Sequence, residues 1–186
     1  MKALRVILSI LMGTMFSTAF AQQSATPSSG DGASLTTTMQ FIQDQMNEQG
    51  RIDYTLHTHD NAQGTDWPVY QIGIEPSHAV ADAAGCRITW HKRLFRDGKM
   101  LLEKDITLDL RSVVKVEVRT SIQEAKAEDT ANGHPEFDKR QDPPYFVVVP
   151  VGTESAGTQI FVSTEDRANR IAKALRRAVM LCSMNN

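Results

Sequence analysis

Short motifs that announce a chemistry are missing from this 186-residue chain. There is no Gly-x-Ser-x-Gly elbow, no His-Glu-x-x-His pair, no phosphate-binding glycine loop and no Cys-x-x-Cys. The calcium-loop pattern is absent too. No catalytic residue is therefore expected, and no cofactor is implied. Charge of one sign is not in excess either, since 20 Lys and Arg face 22 Asp and Glu for a net charge of −2. Such a chain is poorly suited to non-specific nucleic-acid binding, which rests on neutralising phosphates. No stretch beyond the N-terminus is apolar for the roughly 20 residues that span a bilayer.

What is present begins with residues 1–21. Lys2 and Arg5 form a positive start, Val6 to Phe16 is mostly apolar, and Ala19-Phe20-Ala21 is a small-x-small site. This order is read by a signal peptidase, so cleavage is expected after Ala21 and the mature chain is expected in the periplasm or secreted. Ser9, Gly13 and Thr14 interrupt the apolar run, which argues against a membrane anchor. No Cys follows the cleavage site, so the usual bacterial lipid-anchor cysteine is missing. Loss of Lys2 and Arg5 takes the net charge from −2 to −4. Residues 22–34 have no large apolar side chain and are expected as a disordered linker. Residues 35–186 are long enough for a single globular domain.

The only two cysteines are Cys86 and Cys182. In an exported chain an even count reads first as a disulfide.

Periodicity supplies the elements. Leu35, Met39, Ile42 and Met46 make one helical stripe, with Ser34 as cap and Gly50 as stop. Ile52, Tyr54 and Leu56 alternate with Asp53, Thr55, His57 and His59, which predicts a half-buried strand. Tyr70 to Ile74 forms a second, short strand, and Glu75 to Gly85 reads as a loop with one helical turn. Cys86 to Arg96, Met100 to Leu110 and Val114 to Val118 predict an antiparallel meander, with Asp97-Gly98 as its hairpin turn. Residues 123–143 are charged and poor in apolar residues, so they are expected as an exposed insertion. Tyr145 to Val149 and Gln159 to Ser163 are two further strands. Ser163 and Asp166 then open a helix with apolar Ala168, Ile171, Ala172, Leu175, Val179 and Cys182. Cys86 and Cys182 both lie on core faces, so a bridge would pin this helix to the sheet.

Seven strands followed by an amphipathic helix resemble the pleckstrin-homology-like superfold. The resemblance is one of element order and covers Arg51 to Cys182. It implies an α+β fold: an antiparallel seven-strand bent sandwich or partly open barrel with a C-terminal helix, here with an extra N-terminal helix. That superfold mainly hosts binding modules, although fold alone does not assign function. The competing architecture is an α+β roll with two helices on one face of a single sheet.

Two groups of side chains stand out. His57 and His59 project from one strand face with Asp60 adjacent, and His91 lies on another polar strand face. Together they could hold zinc or copper, but no third ligand stands at a defined spacing, and the plainer reading is decoration of solvated strands. Arg167, Arg170, Lys173, Arg176 and Arg177 crowd the last helix. They could face an anionic partner, or simply solvate the helix. The expected function is a non-enzymatic binding or interaction module of the cell envelope, with another envelope protein or an anionic ligand as partner. A metal-handling protein using His57 and His59, and a hydrolase of unrecognised type, are the alternatives.

Overall fold

The computed structural model describes residues 33–60, 68–131, 137–152 and 158–184. The expected signal peptide and the expected linker up to residue 32 lie outside them. The described chain is α+β, with two antiparallel sheets and three helices and no closed barrel. The elements are α1 (Leu35–Asn47), β1 (Ile52–Asp60), β2 (Val69–Asp82), β3 (Arg87–Arg96), β4 (Lys99–Asp109), β5 (Val113–Thr120), α2 (Ser121–Ala131), β6 (Phe137–Asp142), β7 (Phe146–Gly152), β8 (Ile160–Val162) and α3 (Glu165–Met184). The large sheet has the order β4-β3-β2-β1-β6 and the small one β5-β7-β8. Eight strands divided five and three differ from the seven-strand order read from the sequence, and the pleckstrin-homology-like arrangement is not confirmed.

The meander forms where alternation is clean. Ile88 and Leu108 pair, as do Trp90 and Ile106, so all four share the inner face. Asp97 (φ 50°) and Gly98 (φ 76°) both take positive φ, as the tight two-residue turn matching strand twist requires. The Asp97 carboxylate also accepts from the Gln71 amide at 2.9 Å, which ties the turn to β2.

Three differences from the sequence reading have physical causes. The first is β2, which runs on to Asp82 instead of ending near Ile74. A bulge between Ser77 and Val80 follows Pro76, and His78 there has φ 54°. Beyond Ile74, β2 has lost β1 as a neighbour. Side-chain amides of α1 take its place: Asn47 exchanges two bonds with the Ala79 backbone (2.7 and 2.9 Å), and Gln43 accepts from the Ala81 amide at 2.9 Å. The second lies within residues 123–143, expected as an exposed insertion. They supply most of α2 and all of β6, which pairs with β1 from Thr55↔Asp142 to Asp60↔Phe137. Glu124 is buried there, receiving bonds from Arg119 (2.7 Å) and Gln159 (2.6 Å). The third is small: α3 starts at Glu165, with the Thr164 hydroxyl accepting from the Arg167 amide, one residue after the expected Ser163 cap.

Two apolar clusters fill the interior. The smaller joins the sheets directly, through Ile52, Tyr54, Ile72 and Ile74 against Tyr145, Val147 and Phe161. The larger forms where the small sheet no longer covers the large one. There the buried face of α3 shares one cluster with Ile88 and Trp90 of the large sheet and Val116, Val148 and Val162 of the small one, with α1 beside it. Ala168, Ile171, Ala172, Leu175, Ala178 and Cys182 are all fully buried. At about 100° per residue all six fall within one arc of about 120°, and three of them are alanine, which lets that face approach closely. Cys86 and Cys182 form a disulfide with a Cα separation of 6.0 Å, across 96 residues of sequence. Cys86 has φ 53°, a conformation that costs about 1 kcal/mol or more for a residue with a side chain.

Because the closed loop is long, the bridge mainly removes unfolded-state entropy. A Cys86→Ser/Cys182→Ser double variant should lose ~4 kcal/mol of unfolding free energy. Urea titrations of oxidised wild type and the variant measure this, and superimposable curves would show that packing alone holds α3.

Candidate functional site

The proposed metal ligands are spread along the large sheet. His57 sits opposite Val69 of β2, whereas His91 sits opposite Ser77. Those two partners are eight residues apart on one strand, so the histidines are separated by roughly 26 Å along it. His59 and Asp60 belong to β1 near His57, and their side chains lie outside the described set. Among the described residues no group of three His, Cys, Asp or Glu side chains could hold a metal ion.

His91 has a different employment. Its Nδ1 lies 2.9 Å from the Asp105 carboxylate and its Nε2 3.0 Å from that of Glu103. Both carboxylates belong to β4, directly across and diagonal on the same outer face. Only the imidazolium donates from both nitrogens. The hydrogen bond to Asp105, then that to Glu103, holds the His91 pKa above its ordinary value. Beside this trio, Arg93 pairs with Glu75, so the outer face of the large sheet is a lattice of opposed charges.

Nothing among the described residues assembles a nucleophile with an oriented base. The Ser77 hydroxyl meets His78 Nδ1 at 3.1 Å, but these are neighbours in an exposed bulge. Among the described residues no carboxylate orients that imidazole, as a Ser–His pair requires. The buried Ser121 hydroxyl accepts from the Tyr145 amide at 3.4 Å and so serves the β7 entry. The densest charge cluster is structural as well. The Arg119 guanidinium is held protonated above its ordinary range by Glu124 and then Glu117. Lys115 and then Arg119 hold the Glu117 carboxyl below its usual range.

The cations of α3 are spread around the outer half of the helix. At about 100° per residue, Arg176 lies about 180° around the helix from Arg167. Arg170 stands over the Phe41 ring at 5.4 Å and within 4.0 Å of Asp166. Arg177 donates to the Ala33 carbonyl at 3.3 Å. Arg176 reaches the small sheet, where its Nε and Nη2 donate to the Val116 carbonyl at 3.3 and 2.9 Å.

That last contact marks a concavity among the described residues. Strand β5 is an edge of the small sheet. Between it and α3 runs a groove of about 450 Å³ lined by Val113, Val114, Lys115, Val116, Arg176, Val179 and Met180. Val114 is 83% exposed and Met180 45%, with Val151 exposed nearby. The Val116 carbonyl faces Arg176, hence away from β7. Val116↔Pro150 is then a non-hydrogen-bonded pair, and Pro150 needs no amide proton there. Among the described residues no carboxylate lies within ion-pair distance of Arg176. The sequence signals the groove only weakly, because it depends on which edge of β5 is left open.

No family model matches the chain, and no curated protein or solved structure is significantly similar to it.

Protonation of His91 should be visible as a pH-dependent contribution to stability. With its folded pKa raised, that contribution is complete below the unfolded value of about 6.5 and fades as pH rises through the folded one. Wild type should therefore exceed a His91→Gln variant in urea midpoint most at about pH 6, and the gap should narrow toward pH 9. A gap that is flat or widens with pH would refute this role.

Proposed function

We propose that the protein is a non-enzymatic binding module that works outside the cytoplasm, and that its ligand is an extended segment of a partner polypeptide held in the groove between β5 and α3. The carrying observation is an apolar channel beside an open strand edge, with one guanidinium lacking a carboxylate partner among the described residues. Pockets for alternate side chains beside a strand edge are a recurring way to read an extended peptide. Val114, Val179 and Met180 supply apolar contact. Arg176 supplies a charge already fixed in place by the Val116 carbonyl, so little rotamer freedom is lost when it meets an acidic residue. Lys115 is engaged with Glu117 at 2.5 Å and stands at the rim. An extracytoplasmic setting is supported by the positive-apolar-small order of residues 1–21 and by the Cys86–Cys182 bridge, since disulfides persist in oxidising compartments.

A library of displayed peptides of about twelve residues, selected on immobilised wild type, tests the reading. The clones should alternate apolar and acidic residues and bind a Val114→Glu/Met180→Glu variant at least about tenfold more weakly, a loss of ~1.4 kcal/mol. Both positions are exposed, so the variant should keep its fold, checked by its urea midpoint. No enrichment over bare matrix, or equal binding to the variant, would overturn the assignment.

A further inference from the structure

The far end of the large sheet carries an exposed surface unrelated to that groove. Met100, Leu101 and Leu102 follow the Asp97-Gly98 turn and are 54%, 51% and 38% exposed. Three consecutive exposed apolar residues are unusual on an edge strand, which soluble proteins protect with charge. Successive strand residues point to opposite faces, so no single flat partner could cover all three. The register also shifts here: Leu94 pairs with Leu102 and Phe95 with Met100, leaving Leu101 as a bulged residue with no opposite number. The apolar groups therefore surround the hairpin on both faces. Val69, 53% exposed, begins the adjacent strand.

Cations stand on the shoulders of this tip. Residues 92–104 hold Lys92, Arg93, Arg96, Lys99 and Lys104 against Asp97 and Glu103, in a chain whose net charge is −2. Arg93 is taken by Glu75, and Lys92 stands over the Phe161 ring at 4.0 Å. Arg96, Lys99 and Lys104 are exposed. Among the described residues none of these three has a carboxylate within ion-pair distance. The two acids of the segment are occupied, Asp97 by the Gln71 amide and Glu103 by His91. The tip is held firmly, since the Asp97 amide also donates to the Gln71 carbonyl at 2.7 Å.

We propose that the β3–β4 hairpin tip docks the protein onto an anionic lipid bilayer, with Met100, Leu101 and Leu102 entering the headgroup–acyl boundary and Arg96, Lys99 and Lys104 meeting lipid phosphates. A fluid interface can surround apolar side chains on every side of a tip, which a protein groove cannot do without enclosing it. Cations one to four residues from the apolar tip are placed at headgroup height. Each basic side chain near an anionic surface strengthens the contact, and salt weakens that attraction. The contact is peripheral, because among the described residues no helix is long and apolar enough to cross a membrane.

Flotation with vesicles of phosphatidylcholine alone, or containing about a third phosphatidylglycerol, tests this. Wild type should float with the anionic vesicles only, and moderate salt should release it. Leu101→Asp should reduce the bound fraction at least about tenfold, and Lys99→Glu/Lys104→Glu should abolish the salt-sensitive part. The Val114→Glu/Met180→Glu groove variant should float like wild type, which separates this surface from the peptide groove. Urea midpoints confirm that each variant is folded. Failure of wild type to float, or equal flotation of Leu101→Asp, would overturn the proposal. So would a sedimentation mass of two chains that Leu101→Asp halves, since β4 would then be an edge-to-edge contact between copies.

Discussion

Everything in this fold depends on how one helix fills the space that the small sheet cannot cover. Three strands laid against five leave part of an apolar face open, and the buried stripe of α3 closes it. Close packing of that stripe favours small side chains at some of its positions. Alanine at 168, 172 and 178 meets that preference, while Ile171 and Leu175 fill the wider gaps. Each large side chain so buried contributes roughly 1.5–3 kcal/mol, so the helix stabilises both sheets at once. α1 completes the arrangement from the side, with its own stripe of Met39, Ile42 and Met46 in the same cluster.

The placement of α3 decides where recognition can occur. Three of its cations, Arg170, Arg177 and Arg176, are engaged locally, on Phe41, on the Ala33 carbonyl and on the Val116 carbonyl. One of those contacts, at Val116, leaves a groove beside an open strand edge. Elsewhere the outer face of the large sheet neutralises itself, with His91 between Asp105 and Glu103 and Arg93 against Glu75. At the hairpin end, five cations in residues 92–104 stand against two acids, beside exposed Met100, Leu101 and Leu102.

Elements that bury one clean face were legible in the sequence. The stripes of α1 and α3, the alternation of β3, β4 and β5, the Asp97-Gly98 turn and the Cys86–Cys182 pairing all follow from local pattern. Elements held by neighbours were not. β6 reads Phe-Asp-Lys-Arg-Gln-Asp, with no alternation to detect, and exists through its ladder to β1. The end of β2 contains proline and alanines, and is kept extended by amide side chains from a helix more than thirty residues earlier. Glu124, which looks like one more acid in a charged run, is buried because Arg119 and Gln159 meet it. In the candidate sites, residue type was readable and placement was not. The local partners of Arg170, Arg176 and Arg177 could not be read from the helix alone, and the exposure of Met100 to Leu102 became visible once the bulge fixed their register.

The disulfide also divides the chain mechanically. Residues 86–182 form a covalent ring that contains β3 through β8 and nearly all of α3. α1, β1 and β2 lie outside it, attached without a covalent bridge, by ladders, amide clasps, apolar packing and the contacts of Arg93 with Glu75 and Arg170 with Phe41. A pull applied to the N-terminal segment would therefore peel those three elements from the body, while the ring caps how far the rest could extend. If that segment is a tether, tension on it would be met first by the part of the fold able to let go and re-form.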